Sequence, residues 1–95
     1  MPKVKTYPYD SAEYLDSAEA ISVYLEEAFK TEDPAFISFA LGTVARAKGM
    51  AEVARKTGLS RESLYKALSA EGNPEFATIL KVMKALDLKI TASAA

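Results

Sequence analysis

The sequence contains neither cysteine nor histidine among its 95 residues. Without cysteine, a disulfide framework and every thiolate chemistry are excluded. Without histidine, the chain lacks the commonest general base near neutral pH and the commonest metal ligand, so a zinc or haem site is not expected. We therefore predict no cofactor and no metal site, and the missing cysteines fit the reducing cytoplasm.

Long apolar runs are absent as well. No stretch of 18 or more apolar residues occurs, so no segment is expected to span a bilayer and no membrane partner is expected. The first ten residues, MPKVKTYPYD, contain neither an apolar core nor a small-residue cleavage site, so we predict no signal peptide. A hydrophobic share of 49% in a chain of this length indicates one folded domain over residues 1–95.

Charge is unevenly distributed along the chain, although the formal net charge is only −1. Residues 10–33 contain eight acidic residues and one lysine, a local balance of −7. Residues 42–66 contain six basic and two acidic residues, a local balance of +4. A basic stretch beside an acidic one is typical of a protein with two differently charged partners, although many soluble domains also have uneven halves.

Helix start and stop signals predict an all-α fold of five helices. The starts are Asp or Ser caps and Asx-Pro pairs, and glycines mark two of the ends. The sequence DSAE occurs at 10–13 and again at 16–19. The first copy is expected to begin only a single helical turn, which ends at Leu15. The predicted helices run from the Asp16 cap to about Lys30, from Asp33-Pro34 to Gly49, from about Met50 to Lys56, from the Ser60 cap to about Leu68, and from Asn73-Pro74 onward.

Apolar residues recur at helical spacing in three of these helices and predict the core. The predicted core-facing residues are Ala20, Ile21, Tyr24, Leu25, Ala28 and Phe29 in the first helix, Phe36, Ile37, Ala40, Leu41, Val44 and Ala45 in the second, and Phe76, Ile79, Leu80, Met83 and Leu86 in the fifth. The two chain ends, VKTYPY and LKITA, are β-prone instead, and short strands that pair with each other within or between chains are a further expectation.

Residues 50–68 meet the steric requirements of a helix-turn-helix, in which two short helices cross steeply around a tight turn. Ala54 is small where the second helix crosses the first, and Gly58 tolerates a left-handed backbone in the turn. Leu59 fills the corner after the glycine. The inward-facing positions are completed by Val53, Leu64 and Ala67. The alternative is an ordinary helix hairpin with a solvated, mildly basic face.

The second helix of this motif presents a polar outer face that suits a DNA major groove. An arginine can bind guanine at two atoms, and lysine and hydroxyl groups can reach base edges or phosphates. Glu62 can accept from a cytosine amino group or interact with the helix N-terminus. A carboxylate at Glu52 would be repelled by a DNA phosphate. The nearby bases Arg46, Lys48 and Arg55 are therefore expected to contact the phosphate backbone. The predicted DNA-binding residues are Ser60, Arg61, Glu62, Ser63, Tyr65, Lys66, Ser69, Arg46, Lys48 and Arg55.

The segment GMAEVARKTGLSRESLYKALSAEGNPEFATILKVMKALDLKI closely resembles the addiction-module antidote proteins, HigA-like antitoxins of type II toxin–antitoxin systems with a Cro/repressor-type helix-turn-helix. YDSAEYLDSAEAISVYLEEAF and DPAFISFALGTVARAKGM resemble the N-terminal helices of the same family, so the resemblance covers almost the whole chain. It implies a small antitoxin that binds and neutralises a cognate toxin, typically a RelE/HigB-like ribonuclease encoded beside it. It also implies repression of the shared operon by a dimer on a palindromic operator. The recognition surface that it implies consists of Ser60, Arg61, Glu62, Ser63, Tyr65 and Lys66.

Two segments are candidates for the contact with a toxin. The acidic helical part, residues 10–33, complements the basic surface that an RNA-cleaving toxin needs. Tyrosines within this segment or just before it can act as amphipathic anchors, namely Tyr7, Tyr9, Tyr14 and Tyr24, although Tyr24 equally fits the core stripe. The β-prone chain ends are the rival site, because an exposed strand edge can pair with another chain.

The favoured function is therefore an operon-repressing antitoxin, with operator DNA and a protein toxin as partners. A stand-alone helix-turn-helix regulator without a toxin is one alternative. A protein-binding helical module is another, and it predicts no salt-dependent affinity for DNA. Catalysis by Glu26-Glu27 or Glu13-Asp16 is not expected, because no nucleophile or phosphate-binding glycine loop accompanies either pair. Glu26 and Glu27 are also adjacent, so on a helix they point about 100° apart.

Overall fold

The computed structural model of the chain describes residues 15–95. Five α-helices make up this part and no strand occurs in it, so the all-α prediction is confirmed. Within the same residues, no helix has the length and apolar character needed to cross a membrane. The helices are α1 (Ala18–Lys30), α2 (Pro34–Lys48), α3 (Met50–Thr57), α4 (Arg61–Ala67) and α5 (Phe76–Ala85).

Polar side chains cap the starts of α2 and α4, as the sequence predicts. Asp33 accepts a hydrogen bond from the backbone N–H of Ala35 at 3.1 Å, and Pro34 is the first helical residue. Ser60 accepts a hydrogen bond from the backbone N–H of Ser63 at 3.0 Å. Each cap satisfies a donor that has no partner inside the helix, which stabilises the helix by about 1 kcal/mol.

Two other predicted helix starts are wrong. Ser17 rather than Asp16 caps α1, because the helix begins one residue later and the Ser17 hydroxyl accepts a hydrogen bond from its third residue at 3.1 Å. Helix α5 begins at Phe76 rather than at Asn73-Pro74. The backbone of Glu75 is still extended, with ψ of 153°, so Glu75 is the N-cap and makes no side-chain capping bond.

Two glycines with positive φ separate the middle helices. Gly49 (φ 108°) lies between α2 and α3, and Gly58 (φ 78°) ends α3 in the left-handed region, as predicted. The Gly58 N–H donates to the carbonyl of Ala54 at 2.9 Å. The Thr57 hydroxyl accepts a hydrogen bond from the N–H of Leu59 at 3.2 Å. This short turn brings α3 and α4 into contact.

All five helices contribute to one core, in which α2 packs against α1, α3 and α4, and α5 packs against α3. The chains of α2 and α4 approach closely at Gly42, where a Cβ atom would collide with the backbone carbonyl oxygen of Leu68. The buried residues that the sequence predicts correctly are Ile21, Leu25 and Ala28, Ala40, Leu41, Val44 and Ala45, Val53, Leu64, Met83 and Leu86.

Three predicted core residues are exposed instead: Phe36 at 43%, Leu80 at 45% and Phe76 at 66%. Phe36 and Phe76 lie in the first turns of their helices, beyond the edge of the core. In α5 the stripe that packs inward includes Val82, which is fully buried and was absent from the prediction. The apolar stripe of α5 is thus rotated, so Leu80 falls outside it.

The chain leaves α5 through Asp87, which has a positive φ of 61°, and residues 88–95 form neither helix nor strand. The expected strand character of LKITA therefore does not give a strand in the described part of the chain. Its suggested partner, VKTYPY, lies outside the described residues, as do the predicted turn at 10–13 and Tyr7, Tyr9 and Tyr14.

Candidate nucleic-acid interface

The α3–α4 pair is fixed by the inward-facing residues that the spacing predicts. Val53 and Leu64 are fully buried in the core. Ala54, Leu59 and Ala67 are half-buried where the two helices meet. Because these five positions use the inner sides of both helices, the outer side of α4 is left to solvent.

The predicted recognition residues of α4 share that outer side. Arg61, Glu62, Tyr65 and Lys66 are all exposed, with Tyr65 at 45%. None of the three charged residues forms an ion pair with another residue of the described chain. Two cations, a carboxylate and a phenol are therefore free to bind an external partner.

The serines at the two ends of α4 are partly engaged within the chain. The Ser60 hydroxyl accepts a hydrogen bond from the Ser63 N–H and donates one to the Ser63 hydroxyl at 2.9 Å. Both side chains are exposed, but they are bonded to each other. Ser69 is half-buried, and its hydroxyl donates to the carbonyl of Lys66 at 3.0 Å. Of the predicted contacts on α4, Ser69 is the least available.

The carboxylate of Glu52 binds two bases of its own helix. It accepts hydrogen bonds from Arg55 Nε at 3.2 Å and Arg55 Nη2 at 2.5 Å, and Lys56 Nζ lies 3.8 Å from Oε2. The hydrogen bonds from Arg55, together with the positive charges of Arg55 and Lys56, lower the pKa of Glu52. The same hydrogen bonds raise the pKa of Arg55. Glu52 thus engages two of the five N–H donors of Arg55, and the remaining donors are available to an external acceptor.

The last turn of α2 supplies the other predicted bases, directly before α3. Arg46 Nη2 donates to the Thr43 hydroxyl at 3.2 Å, and Arg46 Cζ lies 5.9 Å from the centroid of the Phe39 ring, within cation–π range. Lys48 is exposed and forms no ion pair within residues 15–95. Two features of this neighbourhood were missed in the sequence: the Glu52 ion pairs, which i,i+3 and i,i+4 spacing could have indicated, and the support of Arg46 by Thr43 and Phe39.

The ten predicted DNA-binding residues thus form two groups in the structure. Seven lie on α4 or its immediate flanks, and three bases lie on α2 and α3. Within residues 15–95 no cluster of three or more acidic residues is arranged to hold a metal ion. The outer side of α4 offers charged and hydrogen-bonding side chains, which suit the binding of a polar partner.

A family model described as "Probable addiction module antidote protein" matches residues 5–94 of the chain. The chain belongs to this family. It is also similar to an uncharacterised protein of Haemophilus influenzae, with 53% identity over 81 residues that cover 85% of this chain and 84% of the relative. No solved structure matches the chain significantly.

Membership assigns this antidote the role of an addiction-module antitoxin, with a toxin as its protein partner. The expected antitoxin function is confirmed at this level, which is a regulatory role. The HigA-like subtype, the type of helix-turn-helix and the DNA contacts named above stay predictions.

Proposed function

We propose that this antidote neutralises a RelE/HigB-like ribonuclease toxin and represses its own operon by sequence-specific binding of a homodimer to operator DNA. The observation that carries the DNA-binding part is the exposed face of α4 beside the left-handed turn at Gly58. The toxin part is supported by membership of the antidote family.

The N-terminal half of α4 is the part that would enter the major groove, because recognition helices contact base edges with their first residues. Arg61 opens the helix and forms no ion pair in the described chain, so it can bind guanine O6 and N7 together. Tyr65 and Lys66 lie one turn further on. There the phenol can contact a base or phosphate, and the ammonium can bind the backbone.

The bases on α2 and α3 would position the protein on the duplex. Lys48 and Arg46 lie at the end of α2, directly before the first helix of the proposed motif. Contacts of this kind set register and orientation without carrying sequence information. In a two-fold dimer, two such units would contact half-sites about 34 Å apart, or a multiple of that distance.

Fluorescence anisotropy on a duplex from the protein's own upstream region tests this proposal. Wild type, Arg61→Ala/Lys66→Ala and the control Lys81→Ala/Lys84→Ala are compared at two salt concentrations. The control removes the same charge from exposed positions of α5. We expect salt-sensitive wild-type binding that falls at least about tenfold in the α4 variant, and much less in the control.

Binding no tighter than to random DNA, and equal in the three proteins, would contradict the repressor function. The corner at Gly58 would then be purely architectural. That result would favour the alternative of a protein-binding helical module without DNA affinity.

A further inference from the structure

Among residues 15–95, helix α1 packs extensively against only one other helix. Its main helix contact is with α2, and its residues Ile21, Leu25 and Ala28 are buried in the core. Neither α3 nor α4 packs against it to a comparable extent. Within residues 15–95, the opposite side of α1 is not extensively covered by another helix, and only its Ser22 and Glu26 edge lines a groove with the C-terminal residues 88–95.

That open side is acidic around an exposed apolar residue. Val23 is 56% exposed, and the exposed residues Glu19, Glu26 and Glu27 surround it at helical spacing; these four residues are called the α1 face below. Only Glu27 has an ion-pair partner in the described chain, since Lys30 Nζ lies 3.1 Å from its Oε2. Lys30 is also the only basic residue between positions 15 and 33.

Glu19 and Glu27 favour the helix, because Glu19 lies in its first turn and Glu27 pairs with Lys30, but the other two residues of the α1 face do not. Glu26 lies near the C-terminal end of α1, where the helix dipole disfavours negative charge. Val23 is β-branched and forms helices less readily than Ala, Leu or Lys would at an exposed position. Residues that weaken an isolated helix at solvent-exposed positions point to a role outside the fold.

A shallow groove runs beside the same face. Leu15, Ala20, Val23 and Tyr24 form its apolar part, and Glu19 and Glu27 lie at its rim. An apolar strip bordered by carboxylates fits a partner that offers apolar side chains among lysines and arginines.

We propose that the α1 face and this groove are the surface that holds the toxin. The inference rests on the proposed ribonuclease toxin, because a protein that binds and cleaves RNA needs a basic surface for the phosphates. DNA is excluded as the occupant since it would be repelled by the carboxylates. A second copy that presented the same face would meet like charge.

This assignment places the two partners on different elements. Toxin is held by α1, while operator DNA is bound by α4 and the bases of α2 and α3. The antidote can consequently hold both at once, and loss of one interaction leaves the other in place.

In the proposed operon, the toxin is the product of the reading frame adjacent to the antidote gene. The test purifies this product and measures its affinity for four forms of the antidote by isothermal titration calorimetry. These are wild type, Glu26→Lys/Glu27→Lys, Val23→Ser and the control Glu71→Lys/Glu75→Lys, which makes the same charge change at exposed positions outside α1. We expect Kd to rise roughly 30-fold or more for the double reversal, about fivefold for Val23→Ser, and less than threefold for the control. Operator affinity should not fall in either α1 variant.

Wild-type toxin affinity in both α1 variants would overturn the inference while leaving the toxin partner intact. If the α1 variants keep wild-type toxin affinity but melt at a lower temperature, the groove serves contacts within the chain. That result also overturns the inference. An equal loss in the control would show a non-specific charge effect. A wild-type antidote that does not bind the product would contradict the toxin part of the proposed function itself.

Discussion

At the scale of single residues, Glu52 decides how much uncompensated positive charge α3 presents at its surface. Its carboxylate is bonded to Arg55 and lies near Lys56, so two of the six bases between positions 42 and 66 are partly compensated. The sequence identified the unfavourable effect of a carboxylate near phosphate. The i,i+3 spacing could also have indicated that Glu52 pairs with Arg55, a predicted DNA contact.

Replacement of Glu52 by Gln should strengthen DNA binding. The change frees Arg55 and Lys56 for phosphates, so the slope of log K against log salt should steepen by about one unit. Anisotropy at several salt concentrations measures this, with Glu71→Gln as a control of equal charge change at a residue without an ion pair in the described chain. An unchanged slope in Glu52→Gln, or an equal change in the control, would contradict a specific role for Glu52.

The effect of Glu52 should also depend on pH in one direction. Because the folded pKa of Glu52 is lowered, its carboxylate is charged at neutral pH and loses its bonds to Arg55 only as the pH falls through that lowered pKa. The DNA affinities of wild type and Glu52→Gln, measured by anisotropy, should therefore differ throughout the neutral pH range. A difference in DNA affinity that disappears between pH 6 and pH 8 would be inconsistent with this ion pair.

At the scale of elements, capping distinguishes two aspartates that look alike in the sequence. Asp33→Ala should destabilise the protein by about 1 kcal/mol, because the backbone N–H groups of Ala35 and Phe36 lose their acceptor. Asp16→Ala should change stability by less than about 0.5 kcal/mol, since Ser17 is the cap of α1. Urea unfolding of the two variants checks this, and equal losses would contradict the assigned caps.

The rotated stripe of α5 makes a second prediction about an element. Met83 is buried, so Met83→Ala should destabilise the protein by about 2–5 kcal/mol. Leu80 is 45% exposed on the same helix, and Leu80→Ala should cost less than about 1 kcal/mol. Thermal unfolding of the two variants measures this difference in stability. A larger loss of stability for Leu80→Ala than for Met83→Ala would mean that Leu80 faces the core, as the sequence predicts.

Local features of the elements could be predicted from the sequence, whereas their orientation could not. The left-handed turn at Gly58 and the cap at Ser60 depend on neighbours a few residues away, and with them the outer face of α4 follows from helical spacing. In FATILKVMKA, by contrast, apolar residues occur on several sides, so the spacing does not decide whether Leu80 or Val82 faces the core. That choice depends on where α3 lies against α5.

The same limit applies to the candidate site. The polar set from Arg61 to Lys66 could be predicted because it lies within two turns of one cap. The support of Arg46 by Thr43 and Phe39 depends on side-chain conformations that spacing permits but does not select. The open side of α1 could not be recognised either, because the sequence shows its charge but not which helices cover it.

At the scale of the whole molecule, the acidic α1 and the basic α2–α4 region are separate elements of one small chain, and the proposed toxin and DNA surfaces lie on different ones. The charge segregation visible in the sequence corresponds to different elements of the fold. Operator repression and toxin neutralisation should therefore be lost through different substitutions.

The most direct measurement is growth and reporter expression in cells in which the adjacent reading frame is induced together with the antidote. We predict that wild type restores growth and represses a reporter under the upstream region, and that Arg61→Ala/Lys66→Ala restores growth without repression. Induction that stays toxic in the presence of stable wild-type protein would contradict the account.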